Sequence, residues 1–209
     1  MKRFAKVAIG VLAVCGIALS GYGLLRVTGA GESKTVVRVP EASGTDVKEN
    51  DKMIIDYSNA SQGYVMVQYR KDTDKKLKAQ VKGPTGTTYT YTLAPKTWAA
   101  FPLSEGDGKY KISVYRNSSG NSYATVGSKS ITVELEDAML PFLTANQYVN
   151  YTEDTKCIKQ AEKLCKGLET ELDKVDAIYK WTMKKFSYST IKAKSVESGY
   201  VPDLDAVYK

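Results

Sequence analysis

Apolar and polar residues alternate along the middle of the chain. Leu77, Ala79 and Val81 are separated by polar residues, and Ile112 and Val114 follow the same pattern further along. Because successive side chains of a strand point to opposite faces, the alternation predicts strands with one face in a core and the other in solvent. The pattern predicts seven to nine strands, drawn from residues 35–39, 53–57, 64–69, 77–82, 89–93, 98–103, 110–114, 123–126 and 131–135.

Residues that favour tight turns separate these segments. Gly, Pro, Asn, Asp and Ser cluster at residues 58–61, 83–86, 105–108 and 117–121. Seven to nine short antiparallel strands in about 100 residues are typical of an immunoglobulin-like β-sandwich, which we expect over residues 31–140. That range contains no cysteine, so packing alone must hold the two sheets together.

The spacing of apolar residues changes from two to about 3.6 beyond Glu136. Two helices are predicted, one with Ile158 and Ala161 on its apolar face and one with Val175 and Ile178. Strands followed by helices make the fold class α+β. We expect a helical second domain over residues 141–209, with the apolar residues 139–143 seating one domain against the next.

Helix-start signals occur twice in this second domain. Thr170 and Asp173 are spaced as in a capping box, and Pro202 followed by Asp203 begins another helix with no stop signal before Lys209. Two helices and a tail are too few residues to enclose a core of their own. The sequence therefore predicts a helical domain that is incomplete at Lys209.

The amino-terminal segment, residues 1–30, has the pattern of a membrane sequence. Lys2, Arg3 and Lys6 precede an apolar run over residues 7–25, which as a helix would be about 28 Å long, close to the thickness of a hydrocarbon core. Two interpretations stay open, a signal peptide that is cleaved and a transmembrane anchor. In either case the preceding positive charges orient the bulk of the protein outward. Cys15 is better explained as a small residue in this helix than as a lipid-attachment site, since Val14 precedes it.

The sequence contains no histidine, which excludes Ser-His-Asp and Cys-His catalysis and His-ligated metal sites within it. Cys157 and Cys165 are eight residues apart in a predicted helix, too far for a disulfide, and we expect both to be unreactive residues of the helix interior. Asp72 and Asp74 are followed by lysines where a calcium loop needs oxygen ligands. The carboxylates at positions 169, 171, 173 and 176 are explained by helix capping. The sequence predicts no catalytic, metal or cofactor-binding residue, and no cofactor.

The formal charge is +7. The first 30 residues contribute four basic residues and no acid, which leaves 26 basic and 23 acidic residues interleaved along the remainder. No basic cluster with interspersed aromatic residues is visible, so we expect no nucleic-acid partner. The expected partners are the cell membrane, through the amino-terminal helix, and an extracellular protein or a cell-wall ligand.

Several segments resemble a known family. Residues 173–183, 186–188 and 198–207 resemble the opening of the transglutaminase-like domain of bacterial cell-surface proteins. Residues 55–64, 101–106 and 146–151 are similar to the β-rich region that precedes this domain in one subgroup. The resemblance extends over nearly the whole chain.

The resemblance implies a papain-like Cys-His-Asp triad for acyl transfer or amide hydrolysis. In the family, a Gly-x-Cys motif follows shortly after the position that corresponds to Lys209, and the His and Asp come later. None of the three residues has a counterpart in this sequence, and neither Cys157 nor Cys165 matches the nucleophile. We therefore expect a membrane-anchored or secreted surface protein that is non-catalytic as it stands. The alternative is a complete, non-enzymatic surface module whose β-sandwich binds wall polymer or protein.

Overall fold

A computed structural model of the chain describes residues 36–197 and 199–208. They divide into two compact units, one of residues 40–147 and one that joins residues 148–208 to residues 36–39. Within these described residues, no helix is both long and apolar enough to span a membrane. The predicted signal or anchor segment, residues 1–30 with Cys15, lies outside the described residues.

The first unit consists of two four-stranded antiparallel sheets. The sheet we call sheet A has the order β1-β2-β3-β6, and sheet B has the order β5-β4-β7-β8. With the helices described below, this confirms an α+β fold with antiparallel sheets, an arrangement compatible with a β-sandwich. The strands are β1 (Val47–Glu49), β2 (Met53–Asp56), β3 (Tyr64–Tyr69), β4 (Leu77–Lys82), β5 (Thr88–Leu93), β6 (Trp98–Pro102), β7 (Gly108–Ser119) and β8 (Ser122–Val133).

The apolar residues of the alternating segments form the core of this unit. Val67 in sheet A and Ile112 and Val114 in sheet B are completely buried. The rings of Tyr91 on β5 and Phe101 on β6 lie 4.5 Å apart between centroids, so side chains of the two sheets meet directly. No disulfide is needed because aromatic and aliphatic packing fills the space between the sheets.

The strands differ from the sequence prediction in four places. Residues 36–39 form no strand, while the short β1 was not predicted. The predicted strands 123–126 and 131–135 lie largely in one long strand, β8, because residues 127–130 between them pair continuously with residues 111–114 of β7. The β7–β8 turn is shorter than the predicted 117–121, since Gly120, at φ +49°, reverses the chain within two residues.

Residues 139–143 belong to the first unit rather than forming a linker. A short helical turn, α1 (Leu140–Leu143), begins there, with Leu140 and Leu143 buried. Its Pro141 packs against Gly63 at the end of the 3₁₀ turn Ala60–Gln62. Leu140 and Leu143 are thus part of this unit's own packing.

The second unit contains four helices among its described residues: α2 (Lys156–Cys165), α3 (Glu171–Lys185), α4 (Thr190–Ser195) and α5 (Leu204–Val207). The predicted capping at Thr170 is confirmed, because its hydroxyl accepts a hydrogen bond from the Asp173 amide at 3.1 Å. The predicted start at Asp203 is also confirmed, since its carboxylate accepts from the amides of Asp205 and Ala206.

The short helix α5 is held against α2 by polar contacts. The Lys156 amide at the start of α2 donates to Asp205 Oδ1 at 3.0 Å, and Tyr208 Oη donates to Gln160 Oε1 at 3.0 Å. The Tyr208 ring also stacks on Trp181 of α3, with 5.9 Å between centroids. Residues 204–208 thereby connect α2 to α3.

Candidate functional site

The strands of sheet B contain basic residues and no acidic residue. Every Asp and Glu of residues 40–147 lies in a loop or in sheet A. Alternation directs Lys78 and Lys82 of β4 and Lys109 and Lys111 of β7 to the solvent side, opposite the buried residues of the same strands. We call this surface the basic face, defined by those four lysines and the hydroxyl-bearing residues beside them on β5 and β8.

The strand register places two lysines of the basic face directly opposite each other. Lys82 pairs with Lys111 across β4 and β7, and Lys111 pairs with Ser130 on β8. Thr88 of β5 pairs with Lys82 on its other side. Side chains in directly opposite positions have their Cβ atoms about 5 Å apart, so the two ammonium groups raise the electrostatic energy of the unliganded protein.

A hollow of about 420 Å³ lies at this end of the basic face. The β4–β5 turn forms one wall with Gly83, Pro84 and Gly86, and the strands contribute Lys82, Lys109, Tyr110, Lys111 and Ser130. Three of these eight lining residues are lysines. The hollow therefore has a positive charge and combines it with a hydroxyl group.

The nearest described carboxylate to this hollow is held by the protein itself. Glu105 lies against Gly83 and accepts hydrogen bonds from the amide of Thr85, at 3.0 Å, and from the Thr85 hydroxyl. These hydrogen bonds, with those of Thr87 and Tyr89, lower the pKa of Glu105 below its usual value. Glu105 does not line the hollow, and its ionised carboxylate fixes the β4–β5 turn rather than neutralising a lysine of the basic face.

At the other end of the basic face, a lysine covers an aromatic ring. Lys78 Nζ lies 4.1 Å from the centroid of Tyr123 on β8, within the range of a cation–π contact. Lys78 also pairs in register with Tyr115 of β7. Lys78 and Lys82 are four residues apart on one strand, about 13 Å, which sets the length of the basic face.

The two cysteines of the second unit lie at opposite ends of α2. No disulfide joins Cys157 to Cys165, as the spacing predicted. Cys165 is partly buried, and burial raises the pKa of its thiol while Lys174 partly offsets the rise. Cys157 is buried in the first turn of α2, as expected for a small apolar residue of this helix.

The carboxylates singled out in the sequence are accounted for by local structure. Asp72 pairs with Lys96, and Asp74 lies 3.8 Å from Lys75, all of them solvent-exposed. The acidic residues at the start of α3 surround the Thr170 cap and the amide ends of the helix. Within residues 36–197 and 199–208 there is no group of three or more Cys, Asp or Glu side chains that could hold a metal ion.

Helix α3 has an exposed apolar row. Leu172, Val175, Tyr179 and Met183 recur at helical spacing and are all exposed, with Leu172 at 76%. On a neighbouring side of the helix, Ile178 is only 3% exposed. The apolar pattern correctly predicted a helix, but only the Ile178 side is in the described core.

The charge counted along the chain does not reveal the basic face, because basic and acidic residues alternate in sequence but separate by face. The sequence does carry a signal: Lys78 and Lys82 lie an even number of residues apart, as do Lys109 and Lys111, and the four strands lack carboxylates. Only the strand order brings these two pairs together. Comparisons of the chain with protein-family models, with curated proteins and with solved structures found no match.

Proposed function

We propose that this chain is an extracytoplasmic surface protein in which an immunoglobulin-like β-sandwich precedes the leading helices of a transglutaminase-like domain. The observation that carries the proposal is the exposed apolar row of α3, which lies in the segment that resembles the opening of that domain. The amino-terminal sequence, with its basic residues before an apolar run, supplies the export or anchoring element.

The strand order supports the immunoglobulin-like assignment. Strands β4 and β5 follow β3 along the chain but lie in the other sheet, β6 returns to pair with β3, and β7 crosses again to pair with β4. Such sandwiches have Greek-key connections of this kind. Tyr110, at the start of β7, donates its hydroxyl to the carbonyl of Gly106 at 2.8 Å and accepts from the Glu105 amide at 2.9 Å. This is the geometry of a tyrosine corner. Two residues further on, where antibody domains have a cysteine, this chain has the buried Ile112.

The exposed apolar row of α3 supports the transglutaminase-like assignment. Exposed leucine, valine and methionine at helical spacing on one face indicate a helix that packs against another element. The resembling segment 198–207 includes α5, and the next residue, Tyr208, stacks on Trp181 of the resembling segment 173–183. These two segments are therefore parts of one folded unit.

Acyl transfer by a Cys-His-Asp triad is not proposed for this sequence. It contains no histidine, and the pKa of Cys165 is shifted upward by burial, away from that of an activated nucleophile. The catalytic triad of the family therefore has no counterpart in this sequence.

Limited proteolysis of residues 32–209 tests the proposal. If the helices are the leading part of a larger domain, residues 148–209 are degraded first, while residues 40–147 resist because their core is closed. Equal resistance of both parts, with a single melting transition, would contradict the proposal.

The second candidate function is a non-enzymatic binding module, and the basic face favours it. A solvent-exposed sheet with four lysines and no carboxylate is an unusual distribution in a unit whose acidic residues are otherwise abundant. Such a face is suited to binding an anionic ligand. Equal protease resistance of both parts would support this candidate over the first.

A further inference from the structure

The distribution of charge over residues 40–147 separates the basic face from the rest of the unit. Sheet A carries Glu49 and Asp56, and the loops carry the other acidic residues. Within residues 36–197 and 199–208, none of the ion pairs involves Lys78, Lys82, Lys109 or Lys111. These lysines are available to an external anion.

The strand register brings lysines of the basic face close together, which raises the electrostatic energy of the protein when no ligand is bound. Lys82 and Lys111 are directly opposite on adjacent strands, and like charges in such positions repel each other. Lys109 adds a third ammonium group to the hollow that they line. An anionic group bound between them would remove the repulsion.

The polar residues of the basic face favour a ligand that has hydroxyl groups as well as negative charge. The lysines pair in register with hydroxyl-bearing residues of the neighbouring strands, which are Thr88 and Thr92 of β5 and Ser130 and Thr132 of β8. Hydroxyl side chains both donate and accept, so they can bond to the hydroxyls of sugars or polyols. The lysines are spaced over about 13 Å along β4, which suits a linear polymer with repeating charges.

The aromatic residues of the basic face argue against a single-stranded nucleic acid. Base stacking requires a free ring face, but Lys78 covers one face of the Tyr123 ring. The four cations that define the basic face are all lysines, which act as point charges. None of the four is an arginine, the residue that most often recognises guanine through two hydrogen bonds.

We propose that the basic face binds a linear anionic glycopolymer, with its phosphodiester or carboxylate groups between Lys82, Lys109 and Lys111. The inference rests on the proposed surface location, which gives the face access to such polymers. The shared chemistry is a repeating anion on a hydroxylated backbone. The source of that chemistry, a polyol phosphate or a polyuronate, is distinguished by experiment.

The test is a binding titration of the full chain in non-ionic detergent. The probes are poly(glycerol phosphate), polygalacturonate, neutral dextran and single-stranded DNA of matched charge. The variant Lys82→Gln/Lys111→Gln removes the paired cations, and Lys48→Gln/Lys52→Gln removes the same charge from exposed positions on the sheet A side. All four positions are exposed, so we expect both variants to fold, and thermal melting checks this.

We expect one or both glycopolymers to bind, with affinity reduced about tenfold by Lys82→Gln/Lys111→Gln and less than about twofold by Lys48→Gln/Lys52→Gln. The slope of log affinity against log salt should fall by about two in the first variant. Tighter binding of poly(glycerol phosphate) assigns a phosphodiester polymer, and tighter binding of polygalacturonate assigns a carboxylate polymer.

Three results would overturn the inference: equal losses in the two double variants, tighter binding of DNA than of either glycopolymer, or no binding of either glycopolymer. A failure here leaves the proteolysis result unaffected, so the ligand inference and the proposed domain organisation can fail separately.

Discussion

Gly63 and Pro141 are in van der Waals contact that leaves no room for a side chain on Gly63. A Cβ atom placed on Gly63 would lie 2.6 Å from the nitrogen and Cγ of Pro141. Gly63 also has φ +85°, in the left-handed region. The contact fixes α1 on the sandwich unit and explains why residues 139–143 belong to it.

Gly63→Ala should destabilise the sandwich more than Gly86→Ala. Both glycines have positive φ, but a Cβ on Gly86 would meet no atom within 4 Å. Left-handed strain costs each variant about 1–2 kcal/mol, and the clash with Pro141 should add about 1–3 kcal/mol for Gly63→Ala. Chemical denaturation measures the difference in the free energy of unfolding. Equal losses would show that Pro141 does not pack on Gly63.

Removal of the Tyr110 hydroxyl should destabilise the sandwich by about 1–3 kcal/mol. The hydroxyl bonds to the carbonyls of Leu103 and Gly106 and to the amide of Glu105, and Tyr110→Phe leaves these groups without that partner. Tyr115→Phe is the control, since Tyr115 is on the same strand but outside the corner. Similar free energies of unfolding for Tyr110→Phe and Tyr115→Phe would contradict the assignment of Tyr110 to a tyrosine corner.

Tyr110→Phe also tests how the free energy of unfolding depends on pH in the alkaline range. Burial raises the pKa of Tyr110, partly offset by the hydrogen bond of the Glu105 amide. Because the folded pKa lies above the unfolded value of about 10, the stabilisation is complete below that pH and is lost as pH rises through the folded pKa. The free-energy difference between wild type and Tyr110→Phe should therefore shrink above about pH 10. A difference that stays constant with pH would show that the pKa of the Tyr110 hydroxyl is the same in the folded and unfolded states.

Two residues of α3 should respond differently to truncation. Ile178→Ala removes a buried side chain and should cost the helical unit about 2–4 kcal/mol. Leu172→Ala removes a side chain that is 76% exposed and should change stability by less than about 0.5 kcal/mol. Thermal unfolding followed by circular dichroism compares them. A large loss from Leu172→Ala would mean that the apolar row is already covered.

Cys165 should react with a thiol reagent more slowly than a model thiol does. Burial raises its thiol pKa, and Lys174 reduces the shift, so Lys174→Gln should slow the reaction further. Peptide mass spectrometry after timed alkylation assigns the labelling to Cys165. Faster labelling than the model thiol would contradict the assignment of this cysteine as unreactive.

The sequence predicted the strands well because alternation reports burial locally. Leu77, Ala79 and Val81 are buried as their spacing indicated. The bounds of β8 were missed because residues 127–130, which show no alternation of apolar and polar side chains, are held in the strand by pairing with residues 111–114 of β7. The sequence of β8 alone does not contain this pairing.

The basic face could not be predicted from the spacing of charges. Lys82 and Lys111 are far apart in the sequence and become opposite neighbours only because β4 and β7 pair.

For α3 the apolar positions predicted one face, but which of them are buried depends on the elements that pack against the helix. Burial of Ile178 and exposure of Leu172 follow from tertiary packing.

The extracytoplasmic location is tested most directly by labelling intact bacterial cells that produce the full chain. A membrane-impermeant amine reagent should modify Lys48 and Lys52, which are exposed and lie outside the basic face. Mass spectrometry compares the extent of modification in intact and lysed cells. We predict equal modification in both, because the positive charges at the amino terminus orient the bulk of the protein outward. Modification of these lysines only after lysis would contradict the proposed surface function.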